Sequence, residues 1–362
     1  MTGQQRRGRE NGFNRRCSRR ACLAAALLLT GLPALLGALR RPEATSWPAT
    51  VETVGVISLS VSDLDRSVDF YTHVLTFEKA ATETRRGDEF ARIQGLPSSA
   101  TARVARLRLG DESIELVEYR SPSGRPFPAD SQSNDHWFQH VAIIVRDMDA
   151  VYAKLETAQV RHASDRPQRL PDWNKNAGGI RAYYFRDPDG HFLEILQFPA
   201  GKGDPKWHRP SDRLFLGIDH TAIVVADTDA SLRFYRDTLG MKVAGTSENY
   251  GPEQAALNHV ADARLRITTL RAATGPGIEL LEYRQPRTGR PYPAEAGSND
   301  LLGWQTACVS SQAETLAERL RSEKTPVVSR NPEHSTPSQS VTAGDLLVRD
   351  PDGHLIRITD KP

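Results

Sequence analysis

Apolar residues recur along this chain in two rhythms. Runs of six to eight residues, "VGVISLSV" from Val54, "QHVAIIV" from Gln139, "DHTAIVV" from Asp219 and "WQTACV" from Trp304, are apolar almost throughout. Each admits a polar residue or two, and such runs bounded by turn residues read as buried strands. After the first run the spacing changes: Leu64, Val68, Tyr71 and Leu75 share one face of a helix. Further strands with Gly and Pro turns follow each run, closing on "IELVEY", "FLEILQF", "IELLEY" or "LIRIT". The pattern predicts an α+β protein of four βαβββ modules.

The modules belong to a larger repeat. "GRPFPADSQSND" from Gly124 returns as "GRPYPAEAGSND" from Gly289, "SIELVEYR" from Ser113 as "GIELLEYR" from Gly277, and "SVDFYTHVL" from Ser67 as "SLRFYRDTL" from Ser231. The offset stays at 163–165 residues, which marks two homologous domains of ordinary size. Residues 51–199 would hold modules 1 and 2, and residues 214–362 modules 3 and 4. The stretch at 200–213, rich in Gly, Pro and charge, would link them.

The first fifty residues are of a different character. An Arg-rich head precedes an apolar stretch from Ala21 to Leu39, followed by Arg40 and Arg41. That is the layout of an export signal. "SRRACL" at Ser18–Leu23 is similar to a twin-arginine (Tat) signal, with Cys22 where Phe is usual. The expectation is a periplasmic or extracytoplasmic protein, anchored to a membrane only where the leader stays uncleaved. Residues 1–41 hold nine Arg and one Glu, net +8, so the +2 of the whole chain leaves −6 for the rest. The body therefore offers no basic footprint for nucleic acid. Cys17 and Cys22 lie in the leader, and Cys308 alone remains in the body, which excludes an intramolecular disulfide there.

"HVAIIVRDMD", "HTAIVVADTDASLRFYRDTLGM", "IELLEY" and "DPDGHFLEI" together resemble the vicinal oxygen chelate superfamily of glyoxalase I, bleomycin-resistance proteins, methylmalonyl-CoA epimerase and extradiol dioxygenases. The resemblance runs from Val51 to Asp360. It implies paired modules forming cupped mixed sheets around one divalent metal, with ligands from the first and last strands of each module.

The residues themselves point to similar chemistry. Glu194 in "FLEIL" and Glu279 in "IELL" stand among apolar neighbours, as do His140 and His220 at the heads of their strands. A buried carboxylate needs a partner or a metal. Two imidazoles with two carboxylates suit Zn²⁺, Ni²⁺, Fe²⁺ or Mn²⁺. The corresponding positions are Val56 and Glu115 in module 1, and Gln305 and Arg357 in module 4. Two arrangements follow. If neighbouring modules pair, Glu115, His140 and Glu194 form a three-ligand site. If modules pair across the repeat, His140, Glu194, His220 and Glu279 form a complete one, and Glu115 meets Arg357 as an ion pair in a relic site.

"DPDGH" at Asp187 and Asp350 is turn chemistry, and His191 and His354 read as turn residues. Arg125 and Arg290 in the repeated "GRP" loops are either loop structure or contacts for an anionic substrate. Trp173, Asn174, Asn249, Tyr250 and Gln254 lie in two aperiodic loops that are candidates to line a substrate pocket. The expected function is an exported metal-dependent isomerase or lyase acting on a small oxygenated substrate. Its metal would stabilise enolate or oxyanion charge, and by the resemblance Glu194 or Glu279 would shuttle the proton. An Fe(II) extradiol-type dioxygenase and a non-catalytic sequestering protein are the alternatives. Export would disfavour glutathione and CoA substrates. With four modules in one chain, a monomer suffices as well as a homodimer.

Overall fold

The computed structural model describes residues 51–330 and 345–361; the stretch expected to be an export leader falls outside them. Each module opens on a strand, crosses a helix and returns as an antiparallel set. Module 1 comprises β1 (Thr53–Ser60), α1 (Leu64–Asp69), β2 (Glu78–Arg86), α2 (Asp88–Gln94), β3 (Thr101–Leu109) and β4 (Glu112–Ser121). Module 2 comprises β5 (Gln139–Val145), α3 (Met148–Thr157), the two-residue strands β6 (Arg161–His162) and β7 (Gln168–Arg169), β8 (Arg181–Arg186) and β9 (Phe192–Gln197). Module 3 comprises β10 (Phe215–Val224), α4 (Thr228–Leu232), β11 (Lys242–Asn249), α5 (Pro252–Asn258), β12 (Arg264–Arg271) and β13 (Gly277–Gln285). Module 4 comprises β14 (Trp304–Val309), α6 (Ala313–Ser322), β15 (Leu346–Arg349) and β16 (Leu355–Thr359).

Local chemistry sets the helix starts. Asp63, Asp147 and Asp227 are extended N-caps whose carboxylates accept backbone N–H bonds of the first turn. The helical face at Leu64, Val68, Tyr71 and Leu75 forms, but its second half, Phe70–Val74, is wound as a π-helix. Its module 3 counterpart, Arg233–Thr238, is wound the same way.

The two repeats do not each own a sheet. A seven-stranded sheet runs β15-β16-β14-β1-β4-β3-β2, joining module 4 to module 1. A nine-stranded sheet runs β11-β12-β13-β10-β5-β9-β8-β6, with β7 beside β8, joining module 3 to module 2. The opening strands make both seams, antiparallel: β1 against β14 and β10 against β5. Apolar residues of β1, β4, β5 and β9 share one core, to which α1 contributes Leu64 and α3 contributes Val151 and Leu155. Residues of β10, β13, β14, β16 and α6 form the matching second core.

The repeated loops hold the halves together by reciprocal clasps. Arg125, between β4 and β5, reaches Asp300, between β13 and β14, at 2.6 Å. Arg290 in the second connector reaches Asp135 in the first at 2.7 Å. A Cβ on Gly124 would stand 1.8 Å from the Asn299 carbonyl oxygen, and one on Gly289 1.8 Å from that of Asn134. Only glycine permits this approach. Both arginines are thereby committed to structure rather than to an anionic substrate.

The "DPDGH" turns are tied into the same framework. Asp187 Oδ1 accepts the backbone N–H groups of Asp189, Gly190 and His191, each at 2.9 Å. His191 Nδ1 lies 2.8 Å from Asp187 Oδ2 and its Nε2 2.8 Å from the Leu301 carbonyl. Both imidazole nitrogens face acceptors, so the ring is best satisfied as the cation. Burial opposes that charge, but the Asp187 carboxylate outweighs it and raises the His191 pKa, while Asp187 is lowered. The sign of the pH dependence follows. The His191 contribution to stability is full below the unfolded imidazole pKa of about 6.5 and is lost as pH rises through the raised folded value. The expected result is that His191→Gln lowers Tm most below about pH 6.5, with the gap to wild type narrowing in alkali. A gap constant with pH in thermal melts would refute the pairing.

Candidate metal centre

The nine-stranded sheet brings four chemistry-bearing residues of two modules to one place. Ala222 on β10 lies opposite His140 on β5, and His220 opposite Ala142. Ala142 in turn neighbours Glu194 on β9, and Ala222 neighbours Glu279 on β13. Since same-face residues on a strand are two apart, this register puts both histidines and both glutamates on one face. Glu194 Oε2 lies 3.2 Å from His140 Nε2 and 3.7 Å from His220 Nε2. Glu279 Oε2 lies 3.4 Å from His220 Nε2. One ligand atom each from His140, Glu194 and His220 falls within 4.8 Å of the others. Glu279 stands beside this group, in contact with His220, and its Oε1 accepts the Thr269 hydroxyl at 2.6 Å.

The two imidazoles are supported differently. His220 Nδ1 faces Asp219 at 2.9 Å, and Asp219 is held by Arg271 at 2.8 Å and by the Trp207 indole at 3.1 Å. That carboxylate fixes the ring with Nε2 towards the glutamates, as metal-ligating histidines are held. Burial opposes charge on His220, but Glu279, Asp219 and Glu194 outweigh it and push the imidazole up to about 9. Asp219 is lowered, burial being outweighed by His220 and Arg271. His140 is buried, and among the described residues neither of its ring nitrogens has a hydrogen-bond partner. Buried polar atoms without partners are rare and need a reason. A cation between His140, Glu194 and His220 supplies one for Nε2, the nitrogen 3.2 Å from Glu194, so the donor set fits a borderline divalent metal.

A cavity of about 680 Å³ opens over these residues, with Tyr184, Asn249, Gln254, Leu170, Leu257 and Ile267 among its walls. Of the loop residues expected at a pocket, Asn249 and Gln254 line it. Asn174 is buried behind Asn249, donating to its side-chain oxygen at 2.8 Å. Trp173 and Tyr250 do not line it. Their rings lie against each other 4.3 Å apart, 50% and 44% exposed, on the outside of the wall. Trp173 lines a separate pocket of about 370 Å³ with Asn174, Asn176 and Thr246. Tyr184 was not among the expected residues. Its ring lies 5.0 Å from that of His140, placed there because Tyr184 is the cross-strand neighbour of Glu194.

The seven-stranded sheet holds the counterpart of this site, changed at every position but one. By register Ser58 pairs with both Gln305 and Glu115, as Ala222 pairs with His140 and Glu279. Glu115 is buried, but Arg357 is not its direct partner. Arg85 from β2 binds it through both oxygens, at 2.6 and 2.9 Å, and Arg106 adds a contact at 3.3 Å. Arg357 is taken by Asp345 at 2.9 Å, which lies two residues before Leu347, its cross-strand neighbour. Burial would raise the Glu115 pKa, yet Arg85 dominates and lowers it. Gln305 is bonded into Gln94 at 2.8 Å, and Gln94 into Tyr119 at 2.9 Å. A guanidinium thus supplies the positive charge that a metal would supply, and the expected Glu115–Arg357 pair is corrected to Glu115–Arg85.

A family model for the Glyoxalase/Bleomycin resistance protein/Dioxygenase superfamily matches residues 53–195 and 217–358. The chain belongs to this superfamily. Within it, the chain is 36% identical over 149 residues to a 2-epi-5-epi-valiolone epimerase of an Actinomyces species, spanning 40% of this chain and 79% of that protein. It is 25% identical over 183 residues to a lactoylglutathione lyase of Arabidopsis thaliana, spanning 51% of this chain and 53% of that one. Glyoxalase I from Zea mays superimposes with a TM-score of 0.53 at 17% identity, over 86% of this chain and 92% of that one. The last likeness concerns the fold. The two curated relatives of this superfamily member are enzymes on small molecules.

Proposed function

We propose that this superfamily member is a divalent-metal-dependent isomerase that epimerises a small polyoxygenated ketone in the nine-stranded sheet's cavity. The observation that carries the reading is the His140–Glu194–His220 group with a second carboxylate, Glu279, against His220. The metal would be held by His140, Glu194 and His220, and when bound it polarises substrate oxygens. Epimerisation beside a carbonyl takes a proton from carbon and returns it to the opposite face. Glu194 and Glu279, on different strands and both against His220 Nε2, offer a base for each face. Glu279 is the more accessible, its side chain 20% exposed against 5% for Glu194. Thr269 anchors its Oε1 and leaves Oε2 to take the proton. Tyr184, its pKa raised well above the ordinary value by burial, stays a neutral O–H donor.

The 36%-identical relative makes 2-epi-5-epi-valiolone the first substrate to test. Protein loaded in turn with Zn²⁺, Ni²⁺, Mn²⁺ or Fe²⁺ is expected to exchange the proton beside its carbonyl for deuterium in D₂O, followed by NMR. Exchange should vanish on chelation and in Glu279→Gln. No exchange with any of these metals sinks the isomerase reading. Two His and one carboxylate also form the ligand set of non-haem Fe(II) oxygenases. Oxygen uptake with a catechol and Fe²⁺ alone would favour that second reading.

A further inference from the structure

One wall of the cavity carries Asn249 and Gln254, the middle pair of a chain of four amides whose direction is fixed from one end. Asn174 Oδ1 accepts the backbone N–H groups of Asn176 and Ala177, at 3.2 and 3.0 Å. Its amide cannot turn over without losing both, so its Nδ2 must face Asn249 Oδ1, which it does at 2.8 Å. Asn249 must then donate from Nδ2, to Gln254 Oε1 at 3.0 Å. Gln254 in turn donates from Nε2 to Asn258 Oδ1. Oxygen and nitrogen of each amide are thereby assigned by the network, from a backbone origin that no side-chain rotation can reverse.

The consequence is a surplus of donors. Each amide nitrogen carries two N–H bonds, and the chain uses one at Asn249 and one at Gln254. Asn258 Nδ2 is buried and has no acceptor among the described residues. Asn249 and Gln254 line the cavity and are 4% and 3% exposed, so what they leave over is offered to the cavity rather than to bulk water.

The repeat shows that these positions matter to the site. Counting 164 residues back, Asn249 corresponds to Arg85 and Gln254 to Phe90. Arg85 is the side chain that reaches Glu115 and fills its site with positive charge, while Phe90 lies against Tyr119. Where the cavity persists, the long cation and the ring are replaced by two short amides.

We infer that Asn249 and Gln254 determine specificity by donating to a hydrogen-bond-accepting oxygen, carbonyl or oxyanion, of the molecule bound beside the metal ligands. The inference rests on the reading of this cavity as the substrate site. A group that must donate finds few acceptors here, and a buried polar group left unpaired is costly.

The direction of the chain also makes it reversible by one substitution. In Asn249→Asp the carboxylate still accepts from Asn174, but Gln254 must turn to offer Nε2. Asn258, unconstrained at Nδ2, turns after it. The wall then presents oxygens. Cyclohexanone and cyclohexanol test this, being nearly the same shape, one only an acceptor and the other also a donor. Titrated into the full chain and followed by the side-chain amide signals in ¹⁵N-edited spectra, wild type is expected to favour the ketone by about three- to tenfold. Asn249→Asp is expected to invert that order. Gln254→Glu, which reverses Asn258 alone, should erase the preference and serves if the first variant does not fold. Equal affinities in wild type and variants, or amide signals that neither probe moves, would overturn the inference. Neither probe needs a metal, so metal content measured on the same samples keeps failure of the isomerase reading separate.

Discussion

Metal content measured by mass spectrometry on folded protein is expected to fall from one ion per chain to none in His140→Ala, Glu194→Ala and His220→Ala. Turnover should be lost with it. Each supplies one of the three ligand atoms grouped within 4.8 Å among the described residues, and two remaining ligands do not close such a site. Glu279→Ala is the informative intermediate: the carboxylate stands beside the group rather than in it, so metal should be retained at reduced affinity while proton transfer is lost. Asp219→Asn should weaken metal binding about 10–100-fold through His220, the usual cost of losing the partner behind a ligand. Glu115→Ala should keep the metal in full, since its strand lies in the other sheet. Metal lost only with Glu115→Ala would move the centre to the seven-stranded sheet.

The second large effect belongs to Glu115 and Arg85 and concerns stability rather than chemistry. Glu115→Gln strips the charge that Arg85 was brought in to meet, and Arg85→Met leaves a buried carboxylate with Arg106 and the Ser58 hydroxyl, each at 3.3 Å. Breaking such a pair from one side is expected to cost about 3–5 kcal/mol, while replacing both members with neutral groups of similar volume can be close to neutral. Denaturant unfolding of the two single variants and the double one should therefore show strong non-additivity, with the double closer to wild type than Arg85→Met. Additive losses would mean the two side chains are held by other contacts and the guanidinium is not a substitute for a cation.

Much of this is legible in the sequence. The His and Glu positions in modules 2 and 3 announced themselves as polar residues in apolar strands, and the repeat offset aligned them with their losses at Val56, Gln305 and Arg357. The alignment left two pairings of modules open; the seams β1 to β14 and β5 to β10 are long-range contacts that no local pattern encodes. Arg85 was missed because β2 is an exposed, charged edge strand in which one more arginine carries no signal. Only the alignment of Arg85 with Asn249 marks it, and only once Glu115 is known to be buried. Trp173 and Tyr250 are ambiguous for the opposite reason. Large aromatic rings in an aperiodic loop do not say whether they face a cavity or each other, whereas Asn249 and Gln254, in a chain of amides anchored at Asn174 on backbone N–H groups, line the cavity.

The order of the strands in the two sheets has a consequence for how the chain comes to be assembled. The sheet carrying the histidines is built from adjacent modules, β5–β9 and β10–β13, and is complete in sequence by Gln285. The other sheet is nested around it like an outer pair of brackets: β1, near residue 53, waits for β14, near residue 304. Until that strand emerges, β1 presents an open, apolar edge, the kind of edge that invites mispairing between chains. A chain cut short after the third module, at Gln285, would thus hold every candidate metal ligand and still leave its first strand unmatched, so loss of everything from β14 onward should show as aggregation before it shows as loss of the metal centre.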